Sequence, residues 1–204
     1  KTSEVMCKYW ERELIGLFHC IGKRYLYDRQ HVNQVERLSL LMFDKLAKHY
    51  GMGERERLLL RGAAILHDLG KFICMRSHSI HSYQLIMATD IIGFSDRDKK
   101  IIALAAYYHA NKLFEAGNAN APVIEKDMVA VVAKLAAIIR LADALDRSYL
   151  QKIRQCSVTI KDKIMYVQAT SKKDLALEEW TFTSKANFFE EVYGLEAVLE
   201  RVND

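Results

Sequence analysis

The chain has 204 residues with a formal net charge of +4, and it contains nine glycines but only one proline. This length suits one domain or one and a half. Because 50% of the residues are hydrophobic and 27% are charged, the composition is typical of a globular protein with a sizeable core. Few helix-breaking residues favour long helices over a many-stranded sandwich, and mild basicity permits a polyanionic ligand without requiring one.

The first residues, the apolar runs and the cysteine spacing indicate the cellular location of the protein. No apolar run has the length of a membrane-spanning helix, and the first residues, Lys1-Thr2-Ser3-Glu4, do not form a signal peptide. Since the chain does not start with methionine, we expect a piece of a longer protein. The four cysteines lack CxxC spacing, so we expect buried free thiols and a cytoplasmic location.

The spacing of apolar residues predicts a series of helices in chain order. They cover about residues 5–27, 28–51, 54–69, 78–92, 95–109 and 126–152. Residues 110–121 contain glycine and asparagine before Pro122 and predict a loop. The helix over 126–152 is apolar on most sides, so we expect it to be buried at the centre of the molecule.

The character of the sequence changes after residue 154. Alternating apolar and polar residues over 156–160 and 164–169 predict a β-hairpin, and a helix over 175–193 and a strand over 195–202 follow. We therefore predict a mainly α fold. A helical bundle occupies residues 1–154, with 1–27 as a leading helix or linker, and a small α+β subdomain occupies residues 155–204.

His67 and Asp68 end a strongly apolar helix, where unpaired polar groups would cost several kcal/mol each if buried. Alone, the pair is more typical of a histidine at the C-terminal end of a helix followed by a surface aspartate. Asp143 lies inside the most hydrophobic helix, where aspartate is unfavourable unless it binds a ligand or a cation. Together with His31, His81 and His109, these residues come from five predicted helices, which can converge only in a bundle.

This combination of nitrogen and oxygen ligands without thiolates predicts one or two divalent metal ions. It suits Mn²⁺, Fe, Mg²⁺, Zn²⁺, Co²⁺ or Ni²⁺ rather than a structural zinc site. His78 competes with His81 for the third histidine position, because residues three apart on a helix can share a face. We prefer His81.

The order of these residues resembles the HD superfamily of metal-dependent phosphohydrolases. Several local motifs resemble the C-terminal region of the Ppx/GppA (exopolyphosphatase/guanosine pentaphosphate phosphohydrolase) family. They are His67-Asp68-Leu69-Gly70-Lys71, the segment from His78 to Ile86, Gly93-Phe94-Ser95, Tyr108-His109, the segment from Arg140 to Arg147, and the segment from Phe188 to Gly194. The resemblance runs from about Tyr25 to the end of the chain.

The resemblance implies roles for these residues. The first metal would be held by His31, His67, Asp68 and Asp143, and the second by His81 and His109, with Asp68 bridging the two. Asp68 and Lys71 would be catalytic, and Lys71 would contact phosphate. The substrate would be polyphosphate or a phosphorylated nucleotide, and the family implies an actin-like N-terminal phosphatase half outside this chain, to which phosphoanhydride hydrolysis is assigned.

Three functions remain open from the sequence. The chain is the C-terminal domain of a Ppx/GppA phosphohydrolase, an independent HD phosphohydrolase acting on nucleotides, or a non-catalytic module that binds polyphosphate or forms a homodimer. Arg147, Lys152 and Arg154 form either a solvated helix end or a substrate-binding track for a phosphate chain. We expect neither a membrane nor a specific nucleic acid as a partner.

Overall fold

The computed structural model describes residues 2–110 and 121–202. Seven α-helices lie within these residues: α1 (Thr2–Arg24), α2 (Arg29–Leu46), α3 (Glu54–Leu66), α4 (His78–Met87), α5 (Asp96–Tyr108), α6 (Val129–Ala144) and α7 (Ala176–Tyr193). Short 3-10 turns follow α2 at Ala47–His49 and α3 at Leu69–Phe72, and the strands are β1 (Gln155–Lys161), β2 (Ile164–Thr170) and β3 (Glu196–Val202).

Side-chain caps fix where several helices begin and end. The Asp28 carboxylate accepts a hydrogen bond from the His31 N–H and starts α2. Ser95 and Asp98 form a reciprocal capping box at the start of α5. Gly194 ends α7 in the left-handed conformation at φ 64°, which glycine adopts without steric cost.

The core lies where α3, α5 and α6 pack against one another. Residues 101–108 of α5 are buried on all sides, and α6 is buried almost throughout its second half. The helix α2 covers α3 and α6 on one side, and α4 packs against α5 and the Leu69–Phe72 turn on another. Because α6 is central, a polar group on it is enclosed by its neighbours.

A three-stranded sheet with order β1-β2-β3 completes the chain. β1 and β2 form an antiparallel hairpin. Its two turn residues, Asp162 and Lys163, have φ of 50° and 63°, and type I′ hairpin turns require positive φ at both of these positions. β3 pairs in parallel with β2, and α7 makes the crossover between them. α7 packs against α6, so the sheet and the bundle are joined through this helix.

The predicted fold class is confirmed: the molecule is mainly α with a small α+β appendage. The predicted helix over 126–152 is shorter, because the chain turns after Ala144 and both Tyr149 and Gln151 adopt positive φ, which a helix does not accept. Most of the predicted loop over 110–121 lies outside the described residues. Cys20 and Cys74 are exposed rather than buried.

Among the described residues, no helix is both long and apolar enough to span a lipid bilayer.

Candidate metal centre

Side chains from five helices meet beside the end of α3. They are His31 of α2, His67 and Asp68 directly after α3, His78 at the start of α4, His109 directly after α5, and Asp143 of α6. Two overlapping triads have ligand atoms within 4.8 Å of one another: His31, His67 and Asp143, and His67, Asp68 and His109. All of these residues except His78 are buried.

Each histidine of this cluster is held through Nδ1 by an oxygen that can only accept a hydrogen bond. The acceptors are Asp146 for His31 (2.9 Å), the Ala64 carbonyl for His67 (2.8 Å), the Met75 carbonyl for His78 (3.0 Å) and the Ala106 carbonyl for His109 (2.5 Å). Nδ1 must therefore carry the proton in each ring. The Nε2 atoms are left to face the cluster, which is the arrangement that metal-binding histidines adopt in proteins.

The Nε2 atoms lie close to the carboxylates and to one another. His31 Nε2 is 3.4 Å from Asp143 Oδ1 and 3.6 Å from Asp68 Oδ2, and His67 Nε2 is 3.4 Å from Asp68 Oδ2. His78 Nε2 is 3.6 Å from Asp68 Oδ1 and 3.3 Å from His109 Nε2. Ligands around one ion at about 2.1 Å lie roughly 3.0–3.4 Å apart, so this spacing suits a shared cation.

Two of these nitrogens have no protein partner. His31 Nε2 and His67 Nε2 are buried without a hydrogen bond, although buried polar atoms are nearly always satisfied. A nitrogen that faces a carboxylate oxygen at this distance needs a positive charge between the two atoms, either a proton or a metal ion. The donor set therefore fits a divalent cation bound by nitrogen and oxygen ligands.

Burial and charge shift the pKa values of the cluster in opposite directions. Burial lowers the pKa of His31, but the carboxylates of Asp143 and Asp146 raise it to about 9. Burial is the largest influence on His67 and His109 and lowers both pKa values, so these rings are neutral ligands. Burial raises the pKa of Asp68, but the neighbouring histidines and Lys71 lower it to about 2, so its carboxyl is ionised.

A pocket of about 600 Å³ opens onto this cluster. The side chains of Asp68, His78, His109 and Asp143 contribute to its floor, and three cations, Lys71, Arg147 and Lys185, line it. Lys185 Nζ contacts Asp143 Oδ2 at 2.8 Å, and Lys71 Nζ contacts Asp68 Oδ2. Burial raises the pKa of Asp143, but Lys185 and the histidines hold it well below its usual range.

The structure brings together five of the six predicted metal ligands: His31, His67, Asp68, His109 and Asp143. It does not bring His81 to them. The Nδ1 of His81 contacts Gln84 Oε1 at 3.2 Å instead. His78, one turn earlier on α4, lies at the cluster, with its Nε2 3.3 Å from His109 Nε2.

The predicted cations are divided between two pockets. Lys71 and Arg147 line the pocket above the cluster. Arg154 lines a separate pocket of about 380 Å³ together with Lys152, Lys172 and Lys173. Arg147 and Arg154 therefore do not form one continuous cluster, because the chain turns between them after α6 ends.

Three residues of the site were missed in the sequence. Asp146 orients His31, Lys185 reaches Asp143 from α7, and Tyr149 stacks on His31 with ring centroids 3.8 Å apart. Asp146 stands in the predicted helix close to Asp143, and that spacing was the one available signal. Tyr149 and Lys185 depend on a turn and on a crossover helix, for which the sequence carries no local signal.

A comparison with known protein families matches most of the chain to one family. Residues 18–199 match the family described as Ppx/GppA phosphatase, domain III. The chain belongs to this family. The resemblance seen in the His67–Lys71 and Arg140–Arg147 motifs is confirmed, and the match covers all seven side chains that carry the site or approach it from α7. Ppx/GppA is a phosphatase family, so the chain is part of a hydrolase family.

Proposed function

We propose that this Ppx/GppA domain is an HD-type divalent-metal domain that acts on phosphoanhydride bonds of polyphosphate or guanosine pentaphosphate within a longer phosphohydrolase. The observation that carries the proposal is the pair of buried, unpartnered Nε2 atoms on His31 and His67. Their Nδ1 protons are held by acceptors, so both rings turn Nε2 toward the ionised carboxylates of Asp68 and Asp143. A divalent cation is the ligand that satisfies all of these groups together.

The chain's own residues divide the work of such a site. His31, His67 and Asp143 would hold one ion, and Asp68, His78 and His109 would hold a second, with Asp68 between them. A bound divalent ion supplies a water nucleophile at neutral pH and neutralises charge on phosphoryl oxygens. Lys71, Arg147 and Lys185 line the pocket and would bind the remaining phosphate oxygens as point charges or by paired hydrogen bonds.

Asp68 and Lys71 are the proposed catalytic pair. The Asp68 carboxylate faces His31, His67 and His78, so it can orient a nucleophilic water beside the histidines of the cluster. Lys71 contacts this carboxylate and lines the pocket, so its ammonium can reach a phosphoryl oxygen on the adjacent side. We further propose that the parent protein joins this domain to an actin-like phosphatase half.

A second candidate function is supported by the other basic pocket. Lys152, Arg154, Lys172 and Lys173 line it, and an anionic chain would be attracted there independently of any metal. The charge of Lys152 is paired with the buried Glu178. The side chain of Arg154, in the same pocket, is exposed. In this alternative the domain binds a phosphate chain and presents it to the actin-like half without cleaving it.

The test pairs metal analysis with phosphate release by the full 204-residue chain. Polyphosphate and guanosine pentaphosphate are offered with Mn²⁺, Mg²⁺ or Co²⁺, and free phosphate is measured. We expect metal-dependent release that is lost in Asp68→Ala and retained in Asp162→Asn, which alters an exposed turn carboxylate. Absence of tightly or weakly bound divalent ions in the unaltered chain contradicts the metal centre.

The alternative is distinguished by the salt dependence of polyphosphate binding. Each Lys or Arg contact with a polyanion releases counterions, so affinity falls steeply with salt. If the domain only binds the chain, Arg147→Ala with Arg154→Ala flattens this dependence, and no variant changes phosphate release because there is none. If the metal centre is a hydrolase, Asp68→Ala removes release and leaves most polyphosphate binding intact.

A further inference from the structure

The segment that follows α6 folds back over the cluster in an unusual backbone conformation. Tyr149 has φ of 60° and Gln151 has φ of 44°, a region that residues other than glycine seldom adopt. The Tyr149 N–H donates to the Asp146 carbonyl, and the Gln151 N–H and side-chain amide both donate to the Asp146 carboxylate. The turn is therefore held in place by Asp146, the same residue that orients His31. Strained backbone held in this way is concentrated at functional sites.

The turn presents the Tyr149 side chain to two of the proposed metal ligands. Its ring lies parallel to the His31 imidazole, with centroids 3.8 Å apart and an interplanar angle of 21°. Its hydroxyl donates to Asp68 Oδ2 at 2.7 Å. Lys71 contacts the same hydroxyl, and its Nζ lies 4.3 Å from the ring centroid. Tyr149 is only partly buried and lines the pocket beside Asp68 and Lys71.

We propose that Tyr149 is a positioning residue of the metal centre, which fixes the plane of His31 by stacking and the rotation of Asp68 by its hydroxyl hydrogen bond. This inference rests on the proposed function, since it concerns the ligands of that site. His31 is then restrained in two independent directions: Asp146 holds its Nδ1 edge and Tyr149 holds its face.

Fixing these two ligands matters because they belong to different parts of the site. His31 belongs to the triad with His67 and Asp143, and Asp68 belongs to the triad with His67 and His109. One side chain that touches both keeps the two triads in register. Groups that orient metal ligands from outside the coordination shell commonly change metal affinity 10–100-fold when they are removed.

The inference is tested on the full chain with Co²⁺ as the probe, because its visible absorption reports ligand geometry and its binding can be titrated calorimetrically. Tyr149→Phe keeps the ring and removes the hydroxyl. Tyr149→Asn removes the ring while accepting a positive φ better than most residues. Tyr166→Phe, which removes a tyrosine hydroxyl from strand β2 away from the site, is the matched control.

We expect Tyr149→Phe to lower Co²⁺ affinity about 10-fold and to shift the cobalt absorption bands, because Asp68 is free to rotate. We expect Tyr149→Asn to lower the affinity further, towards about 100-fold, because His31 also loses its stacked partner. Thermal unfolding of Tyr149→Phe without cobalt should match that of the unaltered chain. Tyr166→Phe should change neither the affinity nor the spectrum.

The outcomes separate this inference from the function on which it rests. If the unaltered chain binds Co²⁺ but Tyr149→Phe gives the same affinity and spectrum, the positioning role is wrong and the metal centre stands. If Tyr149→Phe lowers only the thermal stability, Tyr149 is a packing residue and the inference is overturned. If the unaltered chain binds no Co²⁺, both the metal centre and the role of Tyr149 are refuted.

Discussion

Asp143 is the residue whose environment is least compatible with an ordinary structural role. Its carboxylate is buried on the central helix, with Oδ1 3.4 Å from His31 Nε2 and Oδ2 2.8 Å from Lys185 Nζ. An aspartate at such a position is costly unless positive charge surrounds it. The histidines and Lys185 supply part of this charge, and a divalent ion would supply the remainder.

We expect Asp143→Ala to abolish binding of the divalent ion, because it deletes the anionic ligand of the triad with His31 and His67. Asp143→Asn keeps the shape of the side chain and removes its charge, so it should lower metal content as well. Metal stoichiometry after dialysis, measured by elemental analysis, checks this. Asp44→Asn, which alters an exposed carboxylate on α2, is the control. Unchanged stoichiometry in both Asp143 variants would contradict the assignment.

A second prediction concerns Glu178, which is fully buried on α7. Its carboxylate accepts from the Ser148 N–H at 3.1 Å and from Lys152 Nζ at 3.0 Å. Burial acts to raise the pKa of Glu178, but these hydrogen bonds lower it below its ordinary value. A carboxyl with a depressed folded pKa stabilises the fold above its unfolded pKa of about 4.3, and this stability is lost as the pH falls through the folded pKa.

The expected result is therefore a pH-dependent difference between the unaltered chain and Glu178→Gln. The difference in free energy of unfolding should be largest near neutral pH and should shrink as the pH falls below about 5. Urea denaturation at a series of pH values measures it. Glu179→Gln, on the exposed side of the same helix, should show no such trend. A constant difference down to acid pH would mean that Glu178 acts through its shape alone.

At the scale of elements, the contact between the Leu69–Phe72 turn and α4 decides where His78 lies. A Cβ on Gly70 would lie 1.9 Å from the His78 carbonyl oxygen and 2.5 Å from the Ser82 nitrogen. Gly70 therefore allows the turn and α4 to pack closely against each other. The Ser82 hydroxyl completes the contact, since it accepts from the Gly70 N–H and donates to the His67 carbonyl.

We expect Gly70→Ala to lower the free energy of unfolding by about 2 kcal/mol or more, because α4 must move away from the turn. The matched control is Gly16→Ala in α1, where a Cβ would meet nothing within 4 Å. That variant should be stabilising by roughly 0.5–1 kcal/mol, since alanine is favoured over glycine inside a helix. Urea denaturation of both variants checks the contrast. Equal effects at the two positions would contradict the packing argument.

The position of α4 shows which features of the fold and the site could be predicted from the sequence. Apolar periodicity located the helices, because this signal acts within a few residues. The choice between His78 and His81 depended on how α4 rotates against Gly70, which is a contact between elements. Tyr149 reaches the site only because the chain turns after α6. Lys185 reaches it from α7, 42 residues beyond Asp143 in the chain. Such placements follow from tertiary packing, which periodicity does not encode.

At the scale of the whole molecule, the bundle and the appendage share an interface. The sequence predicts a boundary near residue 154, yet α7 packs on α6 and carries Lys185 and Trp180 to the pocket. Tyr193 of α7 donates to the Lys134 carbonyl at 3.0 Å, and Tyr50 donates to the Tyr193 carbonyl at 2.6 Å. Burial raises the pKa of Tyr193, so this hydroxyl stays protonated as a donor.

We therefore expect the two segments to unfold together. Amide hydrogen exchange measures this, because the slowest amides of an independent subdomain open with their own free energy. The slowest amides of β2, the middle strand of the sheet, should exchange with the same free energy as those of α6. A clearly lower free energy for β2 would show that residues 155–204 form a separately folding unit.

The four groups that accept hydrogen bonds from the histidine Nδ1 atoms differ in how well they tolerate substitution during evolution. The rings of His67, His78 and His109 are each anchored to a main-chain carbonyl three residues earlier. Every amino acid supplies such a carbonyl, so Ala64, Met75 and Ala106 can drift without loosening their histidines. His31 alone depends on a side chain, Asp146. Among the four residues that accept these Nδ1 hydrogen bonds, residue 146 should therefore vary least in divergent sequences that keep this centre.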